Sequence, residues 1–112
     1  MRFGQVIVPV SDLDAALNFY QETLGLQLRF RDGDRYAAVS DGSATLALAA
    51  PDEQSAATVT IGMKVDDVVA VVDSLRQEGR AVGEVQRGEH ELRVAMVDPF
   101  GNPLVIYGPL PA

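Results

Sequence analysis

The chain has no cysteine and a single histidine, His90. Without cysteine there are no disulfides, no Cys-ligated zinc, no iron–sulfur clusters and no thiol nucleophile. One histidine removes every site that needs two. Basic residues are scarce: nine Lys and Arg stand against sixteen Asp and Glu, a net charge of −7. That argues against nucleic acid as a partner, because phosphate binding draws on an excess of Lys and Arg. An acidic surface favours cationic ligands or simply keeps a protein soluble. No uninterrupted apolar run exceeds five residues (Val68–Val72), whereas a spanning helix needs about 20. The first ten residues are broken by Pro9 and lack the apolar core of a signal peptide. The expectation is a cytoplasmic protein with no membrane partner. G-x-S-x-G, P-loop and G-x-G-x-x-G motifs are also missing, so those nucleophilic and nucleotide-binding classes have no signature here.

What is present is one unit written twice. Apolar residues make up 47% of 112 residues, enough for the core of one domain. Gln5–Leu26 and Thr60–Val82 each run from a short alternating strand through an acidic cap into an amphipathic helix and then a glycine. Val10 matches Val65, Asp12 matches Asp67, Leu17 matches Val72, and Asp41–Gly42 matches Asp98–Pro99. A tandem of two reads as a duplicated half within a single domain over 1–112, with one module at about residues 3–51 and the other at about 58–109. Pro51–Ala57 is the linker-like stretch between them.

The first helix is expected to be capped by Ser11, with Asp14 three residues on. Leu13, Ala16, Leu17, Tyr20 and Leu24 lie at helical spacing on its core side, and Gly25 ends it. The second has Asp66 or Asp67 as cap, Val68, Val71, Val72 and Leu75 on one face, and Gly79 as its stop. Period-two stretches then predict strands at Leu26–Arg31, Tyr36–Ser40 and Thr45–Ala50, and again at Gly83–Arg87, Leu92–Val97 and Leu104–Tyr107. Each half is strand–helix–strand–strand–strand, an α+β arrangement. One sheet face must bury the helix, which leaves the other free.

Alternation assigns side chains to that free face. Val6, Val8 and Val10, and Ile61, Met63 and Val65, should face the helices. Gln5, Ile7 and Pro9, and Thr60, Gly62 and Lys64, then face away. The same logic turns Ala47, Ala49, Val105 and Tyr107 to the free side, with Tyr36, Ala38 and Ser40 matched by Arg93, Ala95 and Val97. A one-residue bulge would swap that last set.

The segments PVSDLDAALNFYQETLG, VDDVVAVVDSLRQEG and DPFGNPLVIYGP resemble the vicinal oxygen chelate superfamily. That group includes glyoxalase I, bleomycin resistance proteins, fosfomycin resistance enzymes and extradiol dioxygenases. The resemblance covers about residues 3–109 and implies two tandem βαβββ modules whose cupped mixed sheets close around a ligand cavity. It also implies that a short member pairs into a homodimer. Metal-using members carry ligands at four places, which fall on Gln5, Ala47, Thr60 and Val105. Ala and Val cannot ligate, Thr is a poor neutral donor, and a divalent ion wants three or four N, O or carboxylate donors. The expectation is a descendant with no metal site and no cofactor.

Candidate ligand-binding residues are therefore Gln5, Ile7, Tyr36, Ala47, Thr60, Arg93, Val105 and Tyr107. Each has an ordinary structural alternative. Gln5 is either a ligand contact or a polar remnant, Thr60 either a donor to ligand or a bond within the sheet, and Tyr107 either a stacking contact or strand packing. Arg93, if half-buried on the free face, calls for an acid or an anionic ligand. His90 in GEHELR reads as an exposed loop residue. Close pairs Asp12/Asp14 and Asp66/Asp67 sit at helix starts, where the dipole favours the anion. The leading reading is a metal-free small-molecule binder, for example one that sequesters an antibiotic or metabolite. A metal-independent isomerase or lyase on the same fold is the alternative.

Overall fold

The computed structural model describes residues 1–54 and 57–112. Of the linker-like stretch, Pro51–Glu53 forms a 3-10 turn, and residues 55 and 56 lie outside the described residues. The chain divides into two compact units, Gln5–Thr60 and Ile61–Ala112 with Met1–Gly4. The architecture is mixed α+β, and each half of the chain follows the βαβββ plan.

The first half has strands β1 (Arg2–Pro9), β2 (Gln27–Asp32), β3 (Tyr36–Ser40) and β4 (Thr45–Ala49), with helix α1 (Leu13–Leu17). The strand order is β2-β3-β4-β1; β1 and β4 are parallel, and the other pairs are antiparallel. The second half repeats the plan with β5 (Thr60–Lys64), α2 (Val68–Gln77), β6 (Gln86–Arg87), β7 (Glu91–Val97) and β8 (Pro103–Pro109). Its order is β5-β8-β7-β6, with β5 parallel to β8. No helix among the described residues is long and apolar enough to cross a membrane.

The duplicated sequence signals become duplicated devices. Asp12 caps α1 by accepting from the Ala15 N–H at 3.1 Å, and Asp67 caps α2 by accepting from Ala70 at 3.0 Å. The expected cap Ser11 is thus displaced by its neighbour, whose longer side chain reaches the third amide from one position further on. Asp41 and Asp98 close the two matching turns. Asp41 accepts from the Ser43 and Ala44 amides, and Asp98 from Phe100, the Asn102 amide and the Asn102 side chain. These hydrogen bonds hold both carboxyls below the usual range, chiefly through Ala44 for Asp41 and the Asn102 side chain for Asp98.

Each helix covers one side of its sheet. Leu13 and Leu17 pack with Ala37, Val39 and Leu48, joined by Val8, Val10, Ala16, Tyr20, Leu26 and Leu46. Val68 and Val72 pack with Val65, Leu92, Val94 and Ile106, joined by Met63, Val71, Leu75, Val82 and Met96. The expected alternation holds, with local exceptions. Val6 and Ile61, expected under the helices, are 37% and 36% exposed; each lies in its strand before the residues that the helix covers. Leu24 is 54% exposed instead of in the core. After Leu17 the helix widens into a π turn over Asn18–Thr23, and the Leu24 amide bonds back five residues to Phe19. The extra residue per turn rotates Leu24 off the apolar stripe. Phe19 is half exposed and meets Tyr20 edge to face at 5.2 Å. The strand expected at Gly83–Arg87 shrinks to two residues, since Gly83 instead bonds the Ala95 carbonyl through its own N–H.

Candidate functional site

In the first unit, the sheet face turned away from α1 has a floor of small side chains. Ile7 lies opposite Ala47, Ala47 opposite Ala38, and Ala49 opposite Tyr36. Because Val8, Leu46, Leu48, Ala37 and Val39 take the helix side, strand alternation puts Ile7, Ala38, Ser40, Ala47 and Ala49 on the other. All five are buried, and Ala47 is fully so. The Tyr36 hydroxyl donates to the Gln5 side-chain oxygen at 2.9 Å. The Phe30 ring stands 6.1 Å from that of Tyr36. The register irregularity that brings Phe30 opposite Ala38 lies in β2, between Leu28 and Phe30.

In the second unit, register builds two rows across the sheet. Lys64 lies beside Tyr107, Tyr107 opposite Arg93, and Arg93 opposite Gln86. The neighbouring row is Gly62, Val105 and Ala95. Their chain neighbours Met63, Val65, Leu92, Val94 and Ile106 pack on α2, so both rows face away from the helix. Pairing of β7 with β8 is continuous from Glu91–Pro109 to Val97–Pro103, so no bulge turns Arg93 over. Arg93 and Tyr107 are half-buried and Lys64 is exposed. The Tyr107 hydroxyl lies directly over Gly4, where a Cβ would occupy its place. Burial pushes the Tyr107 phenol above its ordinary value, the Glu91 carboxylate adds to this, and Arg2 opposes it.

The four positions that the family resemblance assigns to metal offer few donors. The Gln5 oxygen already accepts from Tyr36. Thr60 is 1% exposed and its hydroxyl donates to the Thr58 carbonyl at 3.0 Å, a local bond rather than one across the sheet. Ala47 and Val105 are buried hydrocarbon. Such a set supplies one neutral amide oxygen and one hydroxyl, which does not fit a divalent ion. Among the described residues no group of three or more His, Asp and Glu could hold one elsewhere. The His90 side chain is 93% exposed, 3.8 Å from Glu89.

Sequence reasoning missed three features. Arg31 bonds Asp14 at 2.7 Å, Asp34 at 3.1 Å and the Gly33 carbonyl at 2.8 Å, tying the start of α1 to the β2–β3 turn. Its only sequence signal was a charge in a strand next to an acidic turn. Phe30 reached the free face through a bulge, which alternation cannot foresee. Gly4 touches a residue from the far end of the chain, and no local pattern announces that.

The sequence profile of the Glyoxalase/Bleomycin resistance protein/Dioxygenase superfamily matches residues 2–106, and the chain belongs to that superfamily. An uncharacterised protein of Mycolicibacterium smegmatis is 40% identical over 107 residues, covering 94% of this chain and 91% of that protein. Similar solved structures include a Legionella pneumophila chain described as an NAD-dependent benzaldehyde dehydrogenase, with TM-score 0.81 and 17% identity over 95% of this chain and 98% of that one. A methylmalonyl-CoA epimerase has TM-score 0.78 and 20% identity over 99% and 97% of the two chains. At these identities the structural likeness shows the fold alone.

Proposed function

We propose that this chain is a metal-independent small-molecule-binding member of its superfamily, one that sequesters a metabolite or an antibiotic. The observation that supports it most is the state of the four inherited ligand positions: Gln5 is engaged by Tyr36, Thr60 is spent on Thr58, and Ala47 and Val105 carry no donor. A binder needs mostly apolar contact area with a few placed polar groups and no catalyst. Native mass spectrometry after incubation with a metabolite and antibiotic panel should reveal a bound small molecule. Elemental analysis of protein purified without chelator should find no stoichiometric divalent metal. Near-stoichiometric Ni, Zn, Mn or Fe that disappears in Gln5→Ala would overturn the reading.

A metal-independent isomerase or lyase is the second reading, favoured by the Tyr36–Gln5 pair, a phenol held in a fixed direction by an amide oxygen. Turnover that Tyr36→Phe abolishes without loss of binding would select it. The chain is further read as a homodimer. Light scattering at micromolar concentration should then give about 24 kDa, twice the chain mass of 12.0 kDa.

A further inference from the structure

We infer that the face of the second sheet turned away from α2 binds an organic anion with a flat apolar body, that is, an aromatic or conjugated carboxylate. This rests on the small-molecule-binding reading and names the ligand class for it.

The first observation is the register. Lys64, Tyr107 and Arg93 stand side by side on three adjacent strands, β5, β8 and β7. Strands lie about 4.8 Å apart, so the two cationic residues are rooted roughly 10 Å from each other, with Tyr107 rooted between them and its hydroxyl reaching over Gly4. Both side chains are long enough to converge on one carboxylate beside that tyrosine. In the adjacent row, Gly62–Val105–Ala95, Gly62 and Val105 are buried and Ala95 is exposed, so the apolar surface beside the cations is Tyr107 and Ala95. An anionic head would meet the cationic residues and a planar body that apolar surface.

The second observation is pairing. Arg2, Arg31 and Arg35 each have a carboxylate within 4 Å, and Arg76 donates to the Gly83 carbonyl. Among the described residues, the side chains of Arg29, Lys64, Arg80, Arg87 and Arg93 take part in no hydrogen bond or ion pair. Arg29, Lys64, Arg80 and Arg87 are exposed, where water solvates them. Arg93 alone of the five is half-buried, and a guanidinium withdrawn from water without a partner is costly. A carboxylate would satisfy its fork bidentately. Gly4 completes the arrangement by leaving room for the Tyr107 hydroxyl. The net negative charge of the whole molecule is screened over about 10 Å at 0.1 M salt, so the local row decides the sign of the ligand.

The test uses three probes of one shape: 2-naphthoate, 2-naphthamide and 2-naphthylmethylammonium, titrated calorimetrically at pH 7, with amide chemical shifts mapped by NMR. The acid should bind at least tenfold tighter than either analogue and perturb β5, β7 and β8. Arg93→Gln should erase that preference, Lys64→Gln should reduce it severalfold, and Arg93→Lys should restore part of it. Arg87→Gln removes the same charge from a position paired with Leu92 on the helix-facing side and should change nothing. Equal affinity for the three probes, preference for the ammonium, or an Arg87→Gln effect as large as that of Arg93→Gln overturns the anion inference and leaves small-molecule binding standing. Failure of all three probes to bind also overturns it, and an empty metabolite panel beside that result removes the broader reading too.

Discussion

In the first unit the sheet face away from the helix is buried along β3 and β4: Ala38, Ala47 and Ala49 are buried, and Tyr36 is bonded to Gln5. In the second unit the same strand plan buries Gly62 and Val105 but leaves Ala95, Val97 and Lys64 exposed, with Arg93 unpaired among the described residues. The helix-facing sides show no such divergence. Both are aliphatic clusters built around two buried residues of the helix, Leu13 and Leu17 in one and Val68 and Val72 in the other. A duplicated βαβββ unit is held to its pattern where a helix must be buried, because dense interiors tolerate little change. The opposite face carries no such constraint and is where the halves became different. Chemistry on a shared fold resides in such unconstrained positions.

If that division is correct, truncation on the helix sides should affect the two units equally. Leu48→Ala and Ile106→Ala remove side chains that are 0% and 2% exposed, and each should cost about 2–5 kcal/mol in denaturant unfolding. A difference larger than that range would break the symmetry. The free faces should respond unequally. Ala47→Leu forces a larger side chain into a filled floor and should cost about 1–3 kcal/mol. Ala95→Leu, at an exposed position of the second sheet, should stay within about 0.5 kcal/mol. Equal costs would mean that the second face is as filled as the first. A smaller contrast lies in the tyrosines. Tyr36→Phe removes a part-buried hydrogen bond to Gln5 and should cost about 1 kcal/mol. Tyr107→Phe should be within about 0.5 kcal/mol at pH 7, since among the described residues its hydroxyl makes no hydrogen bond.

Sequence reasoning reached β3 residue for residue and the matching turns at Asp41 and Asp98, because apolar alternation and Asp–Gly or Asp–Pro punctuation are local signals. The stops at Gly25 and Gly79 were legible for the same reason: both hold positive φ, at 75° and 82°. The π turn was not, since a change from four to five residues per hydrogen-bonded loop leaves hydrophobic spacing almost unaltered until Leu24. The site was half legible. Alternation put Tyr107 and Arg93 on one face, but whether a charge finds a partner depends on three-dimensional neighbours. Thus the global charge of −7 suggested a cationic ligand, while the structure shows Arg93 as a half-buried cation that no side chain pairs among the described residues. The contact of Gly4 with Tyr107 joins the two ends of the chain, and no window of sequence contains both.

The last contrast is nearly silent at neutral pH and emerges in alkali. Burial raises the Tyr107 phenol above its ordinary value of 10.0, the Glu91 carboxylate raises it further, and Arg2 partly offsets both. A raised value means that the fold prefers the neutral phenol. Its contribution is therefore complete below about pH 10 and is lost as pH climbs through the folded value. Ultraviolet absorbance of phenolate should show a late-titrating component that Tyr107→Phe removes. Glu91→Gln should move that component down and Arg2→Gln should move it up. Gly4→Ala should shift it further than Glu91→Gln does, because the new methyl group displaces the hydroxyl from its cover and desolvation is the leading cause. If Gly4→Ala leaves the titration unchanged while Glu91→Gln alters it, the phenol responds to charge and not to burial, and Gly4 is not what covers the Tyr107 hydroxyl.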